Sequence, residues 1–199
     1  MVRDLKCDPS TLLGPPDDRV IAKLQARFAL DSAFVEQMSI CHGAEPKISQ
    51  FHAESATRNI GLFLTLYDYH SKLEPPFRPH FDHLNLDERV VDGICYIIDE
   101  DHGTSRTLFT NLLPFAALET DMCLDRAYVD LLCLDYRNTE QLPPVVLWVA
   151  ERAQRAYWAW DDLPIDEQFD ENHNFCNVPW DSFLVPISDS FANFISDLQ

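Results

Sequence analysis

The segment between residues 128 and 149 constrains the fold more than any other part of the sequence. Residues 128–136 and 145–149 are rich in β-branched and other apolar side chains, a composition that favours strands. The polar residues 137–144 between them have the length of a hairpin loop, which is too short for a crossover connection. The sequence therefore predicts two adjacent antiparallel strands.

Helical spacing of apolar residues marks the N-terminal part of the chain. Residues 17–28 predict one helix, and residues 31–41 predict a second. Asp31 is the expected N-cap of the second helix, and Gly43 lies just beyond its end. Two helices joined by so short a connection predict an N-terminal helical hairpin.

The remaining apolar segments complete the predicted fold. A further helix is predicted at residues 86–98, and a C-terminal helix begins after Ser188 or Asp189. Additional strands are predicted at residues 47–51, 59–67, 107–115 and 183–187. Strands enclosed between helices indicate a single α+β domain over residues 1–199, with a mostly antiparallel central sheet and a C-terminal helix.

Negative charge is the second strong feature of the chain. The 199 residues include 33 carboxylates and 15 Lys and Arg, which gives a formal net charge of −18. Such a surface repels nucleic acid and anionic membranes and attracts cationic proteins. The C-terminal part suits either a solvated acidic surface or a docking face for a cationic protein. No Lys or Arg follows Arg155, whereas nine carboxylates do: Asp161, Asp162, Asp166, Glu167, Asp170, Glu171, Asp181, Asp189 and Asp197.

The cysteines and the N-terminus predict a cytoplasmic protein. The six cysteines have wide, irregular spacings and form no C-x-x-C pair, which favours free thiols, several of them in the core. Charged residues at positions 3, 4, 6 and 8 interrupt the N-terminus, so no signal peptide is predicted. The longest apolar run, residues 145–150, is too short to span a bilayer.

Four short segments of the C-terminal half carry a family resemblance. They are Leu-Pro-Phe-Ala at 113–116, Leu-Leu-Cys-Leu-Asp-Tyr-Arg at 131–137, Pro-Val-Val-Leu-Trp at 144–148 and Val-Pro-Ile-Ser-Asp-Ser-Phe at 185–191. In this order they resemble the SUKH superfamily of bacterial immunity proteins and a fungal cell-wall regulator domain. The resemblance covers residues 17–198, most strongly from residue 113. It implies one SUKH-like domain with enlarged loops at about 68–85 and 151–179.

The resemblance implies a binding protein without catalytic residues or a cofactor. Bacterial SUKH members neutralise toxins of contact-dependent or polymorphic toxin systems, and many such toxins are nucleases with basic surfaces. A chain with a net charge of −18 would attract a partner of that kind. The expected partner is therefore a basic bacterial toxin. A scaffold that binds several proteins is the alternative suggested by the fungal member.

The acidic, aromatic-rich stretch after residue 156 is the expected partner-binding site. Trp and Tyr are enriched at the energetic centres of interfaces, and surrounding carboxylates suit the Lys and Arg of a partner. One or two of these aromatic side chains could instead cover the sheet, so a packing role and an interface role both stay open. The candidate residues are Tyr157, Trp158, Trp160, Asp161, Asp162, Asp166, Glu167, Asp170 and Glu171.

Patterns for catalysis and metal binding are weak in this sequence. No two glycines lie closer than ten residues, which excludes both the dinucleotide-binding motif and the phosphate-binding P-loop. The His-Phe-Asp-His segment at 80–83 combines metal-ligand residue types, but no familiar spacing completes a site. A metal-dependent hydrolase using His80 and His83 is the third hypothesis, and no metal, cofactor or catalytic residue is assigned.

Overall fold

The computed structural model describes residues 7–10, 12, 16, 18–63, 111–119, 130–138, 142–168 and 176–199. Within these residues six strands form one sheet: β1 (Gln50–Ala53), β2 (Ala56–Phe63), β3 (Leu112–Leu118), β4 (Leu131–Asp135), β5 (Val145–Trp148) and β6 (Leu184–Ser188). The helices are α1 (Asp18–Arg27), α2 (Ser32–Cys41), α3 (Ala150–Asp161), α4 (Ile165–Gln168) and α5 (Phe191–Asp197), with a 3₁₀ turn at Trp180–Ser182. The predicted α+β class is confirmed.

The sheet is an antiparallel meander in which each strand pairs with the next along the chain. The predicted hairpin lies in it as β4 and β5, with Leu132 opposite Leu147. Every residue of β3, β4 and β5 is buried, as expected for strands covered on both faces. The edge strands β1 and β6 approach within 8 Å between Cα atoms. Gln50, the first residue of β1, exchanges two backbone hydrogen bonds with Gln199.

Both helices predicted near the N-terminus are present, each within one residue of its expected bounds. Asp31 is the N-cap of α2, and its carboxylate accepts a hydrogen bond from the backbone N–H of Ala33 at 3.0 Å. The helix ends at Cys41, and the chain then turns through Gly43, whose φ of 69° is a conformation that glycine adopts without strain.

Phenylalanine rings join α2 and α5 to the sheet. Phe115 lies where β3 bulges against β4 and is 1 % exposed. Its ring centroid is 6.3 Å from that of Phe34 on α2, and 5.2 Å and 5.9 Å from those of Phe191 and Phe194 on α5. Phe63 of β2 stacks on the same ring at 6.5 Å. Phe115 is therefore the centre of the aromatic core.

Two expectations for the C-terminal part differ from the structure. Residues 151–179, expected as an enlarged loop, contain most of α3 and all of α4. The C-terminal helix is capped by neither Ser188 nor Asp189, because the hydroxyl of Ser190 accepts the hydrogen bond from the backbone N–H of Asn193. The chain continues as β6 through Ser188, which places the first free cap position two residues later.

Several predicted features lie outside the described residues. They are the helix at 86–98, the end of the strand at 64–67, the loop at 68–85 and the segment that contains His80 and His83.

Cys7 and Cys41 form a disulfide, with their Cα atoms 6.1 Å apart. The expectation of free thiols is therefore wrong for this pair. The two residues meet because the chain near the N-terminus runs antiparallel to the turn after α2. Cys7 forms an isolated β-bridge with Pro46, and the backbone N–H of Asp8 donates to the carbonyl of Glu45 at 2.9 Å. Irregular spacing along the sequence gave no indication of this contact.

The two-residue turn between β1 and β2 stores backbone strain. Glu54 and Ser55 both have positive φ, 48° and 67°, in a tight hairpin turn that Gly and Asn adopt most easily. We expect Ser55→Gly to raise the free energy of unfolding by about 0.5–1 kcal/mol, because relief of this strain exceeds the entropy that glycine adds to the unfolded chain. Urea unfolding measures the change. Ser49→Gly, at a residue without positive φ, should be destabilising, and a destabilised Ser55→Gly would contradict the turn geometry.

Candidate protein-binding surface

Helix α3 places the predicted interface aromatics on different faces. Ala153, Ala156 and Trp160 are spaced three and four residues apart and are 2 %, 7 % and 4 % exposed, so they form the buried stripe of the helix. Trp158 lies on another face and is 57 % exposed. Trp160 is therefore part of the core, whereas Trp158 is accessible to a partner.

The side chain of Trp160 connects α3 to the segment that follows α4, through a hydrogen bond to Cys176. Its indole N–H donates to the backbone carbonyl of Cys176 at 2.7 Å, and the backbone N–H of Cys176 donates to the carbonyl of Gln168 at 2.9 Å. The side-chain amide of Asn177 donates to the carbonyl of Glu167 at 2.8 Å. These bonds connect residues 176 and 177 to both α3 and α4. Trp160 therefore has the packing role that was one of the two roles considered for the aromatic residues of this stretch.

The exposed side chains on either side of this turn form the candidate site, which we name the α3–α4 surface. It contains two apolar side chains, Trp158 and Ile165, which are 57 % and 77 % exposed. It also contains the exposed carboxylates of Asp162, Asp166 and Glu167. Trp158 and Asp162 lie one helical turn apart at the end of α3, and α4 follows directly. Apolar anchors surrounded by carboxylates suit a partner with Lys or Arg around an apolar contact.

The predicted site residues divide into three groups. The first group lies on the α3–α4 surface and consists of Trp158, Asp162, Asp166 and Glu167. The second is the buried Trp160. The third lies outside the described part of the molecule: the side chains of Tyr157 and Asp161, and all of Asp170 and Glu171.

Ile165 is the member of the surface that the sequence-based prediction missed. It stands alone between Pro164 and the acidic pair Asp166 and Glu167. Within the four residues of α4, Ile165 is the only apolar residue, because Asp, Glu and Gln follow it. The proline before it and the acidic pair directly after it are the sequence signal that favours an exposed position.

The arginines of this half of the protein are already paired. In the described residues from 130 onward, each arginine contacts a carboxylate: Arg137 with Asp135, Arg152 with Glu54, and Arg155 with Glu151. No ion pair among those residues involves Asp162, Asp166 or Glu167. The negative charge of the α3–α4 surface is therefore not neutralised within the described structure.

Asp162 occupies a position that helix electrostatics disfavour. It is the C-cap of α3, and the last turn of that helix contains no basic residue. The C-terminal end of a helix carries a partial negative charge, so a carboxylate there costs about 0.3–1 kcal/mol. A cationic partner would relieve this repulsion, so the arrangement favours binding a cation at the expense of the stability of the isolated chain.

Asp130 accepts a hydrogen bond at the N-terminal end of α3. The N-cap residue Val149 provides no side-chain hydrogen bond. Instead, the Asp130 carboxylate accepts a hydrogen bond from the backbone N–H of Ala150 at 2.9 Å. Burial raises the pKa of Asp130, although this hydrogen bond and the charges of Arg58 and Arg152 act in the opposite direction. The ionised carboxylate therefore costs stability in the native state.

Replacing Asp130 should change how stability depends on pH. A carboxyl with a raised native pKa contributes stability that is fully present below its ordinary pKa of about 3.9 and is lost as the pH rises through the native value. Asp130→Asn keeps an acceptor oxygen for Ala150 and cannot titrate. We therefore expect the difference in Tm, variant minus wild type, to increase as the pH is raised from acid to neutral. Parallel profiles of Tm against pH for Asp130→Asn and the wild type would contradict this account. Asp181→Asn, at an exposed position, is the control and should give a profile parallel to that of the wild type.

The described residues contain neither a metal-binding cluster nor a membrane-spanning helix. No group of three or more His, Cys, Asp or Glu side chains there could hold a metal ion. No helix there is both long enough and apolar enough to cross a membrane.

Comparison with known proteins does not assign the chain to a family. No protein-family model, no curated protein and no solved structure matches it. The geometry and charge of the α3–α4 surface are therefore what points to a function.

Proposed function

We propose that the chain is a non-enzymatic binding protein that neutralises a basic protein toxin through its α3–α4 surface. The observation that carries this proposal is the exposure of Trp158, at 57 %, next to carboxylates that form no ion pair within the described residues. Tryptophan is the residue most enriched at the centres of protein interfaces, where it supplies a large contact area. Ile165 offers a second apolar contact for the same partner.

Charge supports a basic partner in particular. The net charge of −18 attracts cationic proteins over a distance and raises their association rate by roughly 10 to 10³-fold. The carboxylates of Asp162, Asp166 and Glu167 would then pair with Lys or Arg at the interface. Nucleic acid and anionic membranes are repelled by the same charge, so we propose neither as a ligand.

Within this class we propose a SUKH-like immunity protein that acts in the cytoplasm. Support comes from the positions of the four segments that resemble the superfamily. Residues 113–116 lie in β3, residues 131–137 include β4, residues 144–148 include β5, and residues 185–191 extend from β6 into α5. We further propose that α1 and α2 form the N-terminal helical hairpin of a single SUKH-like domain. A cognate nuclease toxin would be blocked by occlusion, without catalysis by this chain.

A genetic experiment tests the immunity function. An immunity gene commonly lies next to the gene of its toxin, so the neighbouring genes are expressed one at a time, first alone and then with this chain. We expect one neighbour to encode a basic protein that stops growth alone, and growth to return when the chain is present. Growth arrest that persists with the chain present would contradict the immunity function. Binding to several unrelated, non-toxic proteins would favour a scaffold.

A further inference from the structure

The disulfide between Cys7 and Cys41 joins two buried residues that differ in exposure. Cys41 has no exposed surface, whereas Cys7 is 9 % exposed and is followed by the exposed residues Pro9 and Ser10. An attacking thiolate must approach one sulfur in line with the S–S bond, from the side opposite the other sulfur. Because Cys41 has no exposed surface, we expect such a nucleophile to reach the sulfur of Cys7.

A buried amide favours Cys41 as the leaving group. Gln37 lies one helical turn before Cys41 on α2 and is only 4 % exposed. Its side-chain N–H donates to the sulfur of Cys41 at 3.1 Å. A hydrogen bond donated to sulfur stabilises a thiolate more than the neutral sulfur of a disulfide, because the thiolate carries a full negative charge. The negative charge released when the S–S bond breaks is therefore stabilised at Cys41.

We propose that Cys7 is a site of reversible S-thiolation by a small thiol of the glutathione class. The thiolate attacks the sulfur of Cys7, the S–S bond breaks, and its electron pair leaves on Cys41. A second thiolate attacks the small-molecule sulfur of the mixed disulfide and releases Cys7 as a thiolate. Each protein thiolate then takes a proton from water. Overall, the protein disulfide gains two electrons, and two small thiols are oxidised to one disulfide.

This exchange matches the cytoplasmic location that we propose. Disulfides that form in a reducing compartment are usually transient or redox-sensing. The disulfide connects the start of the chain to the end of α2, where the bridge between Cys7 and Pro46 and the hydrogen bond from Asp8 to Glu45 are noncovalent contacts. The reaction would therefore switch the N-terminal attachment between covalent and noncovalent forms. It does not depend on what the α3–α4 surface binds.

Mass mapping of the reaction intermediate tests the proposal. The oxidised protein is mixed with millimolar glutathione, quenched with acid at short times, alkylated and digested. We expect a transient glutathione adduct on the peptide that contains Cys7. We expect Gln37→Leu to slow loss of the disulfide by about tenfold, the effect of one hydrogen bond to a charged group. Gln25→Leu, at an exposed glutamine of α1, should leave the rate unchanged.

Two results would overturn the proposal. An adduct on Cys41 would reverse the direction of attack, and a disulfide that resists glutathione in the folded wild-type protein would make the bond purely structural. If Gln37→Leu loses the disulfide at the wild-type rate, the Gln37 amide does not stabilise Cys41 as the leaving group, which would contradict that part of the proposal. If that variant does not fold, the position of the adduct in the wild-type protein still decides the question.

Discussion

Replacing Phe115 with alanine is expected to lower the free energy of unfolding by about 3–5 kcal/mol. Its ring is 1 % exposed and contacts two rings of α5, one of α2 and one of β2. Removing it leaves a cavity bordered by four aromatic side chains, which cannot all move inward to fill it. Urea unfolding monitored by tryptophan fluorescence measures the shift in midpoint.

A conservative substitution at the same position is the matched control. Phe115→Leu keeps most of the apolar volume, so we expect it to cost less than half as much as Phe115→Ala. Equal losses for the two variants would mean that the cavity does not determine the cost. A loss below about 1 kcal/mol for Phe115→Ala would contradict the central position of this ring, since fully buried phenylalanines rarely cost so little.

Altering the α3–α4 surface is expected to weaken binding of the basic partner by about 100-fold or more. The variant combines Trp158→Ala with Asp162→Lys and Asp166→Lys. Loss of a tryptophan at an interface centre commonly costs about 2 kcal/mol or more, and the two charge reversals replace attraction by repulsion. Titration calorimetry against the partner identified by growth rescue measures the change in Kd.

The control for this variant carries the same change in net charge at another place. Asp181 and Asp197 are exposed and lie outside the α3–α4 surface, so Asp181→Lys with Asp197→Lys tests long-range charge alone. We expect this control to reduce the association rate modestly and to leave the dissociation rate nearly unchanged. Equal weakening by both variants would show that net charge, rather than this surface, determines binding.

The sheet could be predicted well from local sequence patterns. The apolar runs at β4 and β5, separated by a short polar segment, predict a hairpin because antiparallel pairing needs only a tight connection. The cap of α2 was equally predictable, since an aspartate before a helical apolar stripe has few alternatives. In both cases the interaction joins residues that are close in sequence.

Features that depend on distant contacts could not be predicted in the same way. The disulfide joins residues 34 positions apart, and no spacing rule states that Cys7 meets Cys41. In α3, the alanines at 153 and 156 and Trp160 form a buried stripe, but the acidic residues that follow suggested a loop. The different roles of Trp158 and Trp160 follow only from the helical periodicity that this stripe reveals.

We propose that a basic protein binds this chain through charge and the exposed surface of α3 and α4. The most direct measurement is capture from a lysate of the source organism with tagged wild-type protein and with the α3–α4 surface variant. Each capture is run at about 0.1 M and about 1 M salt, where the Debye length falls from about 10 Å to about 3 Å. We predict one basic protein, retained by the wild type at low salt, depleted at high salt and absent with the variant. Capture of the same protein by both forms, or of an acidic protein that is insensitive to salt, would contradict the claim.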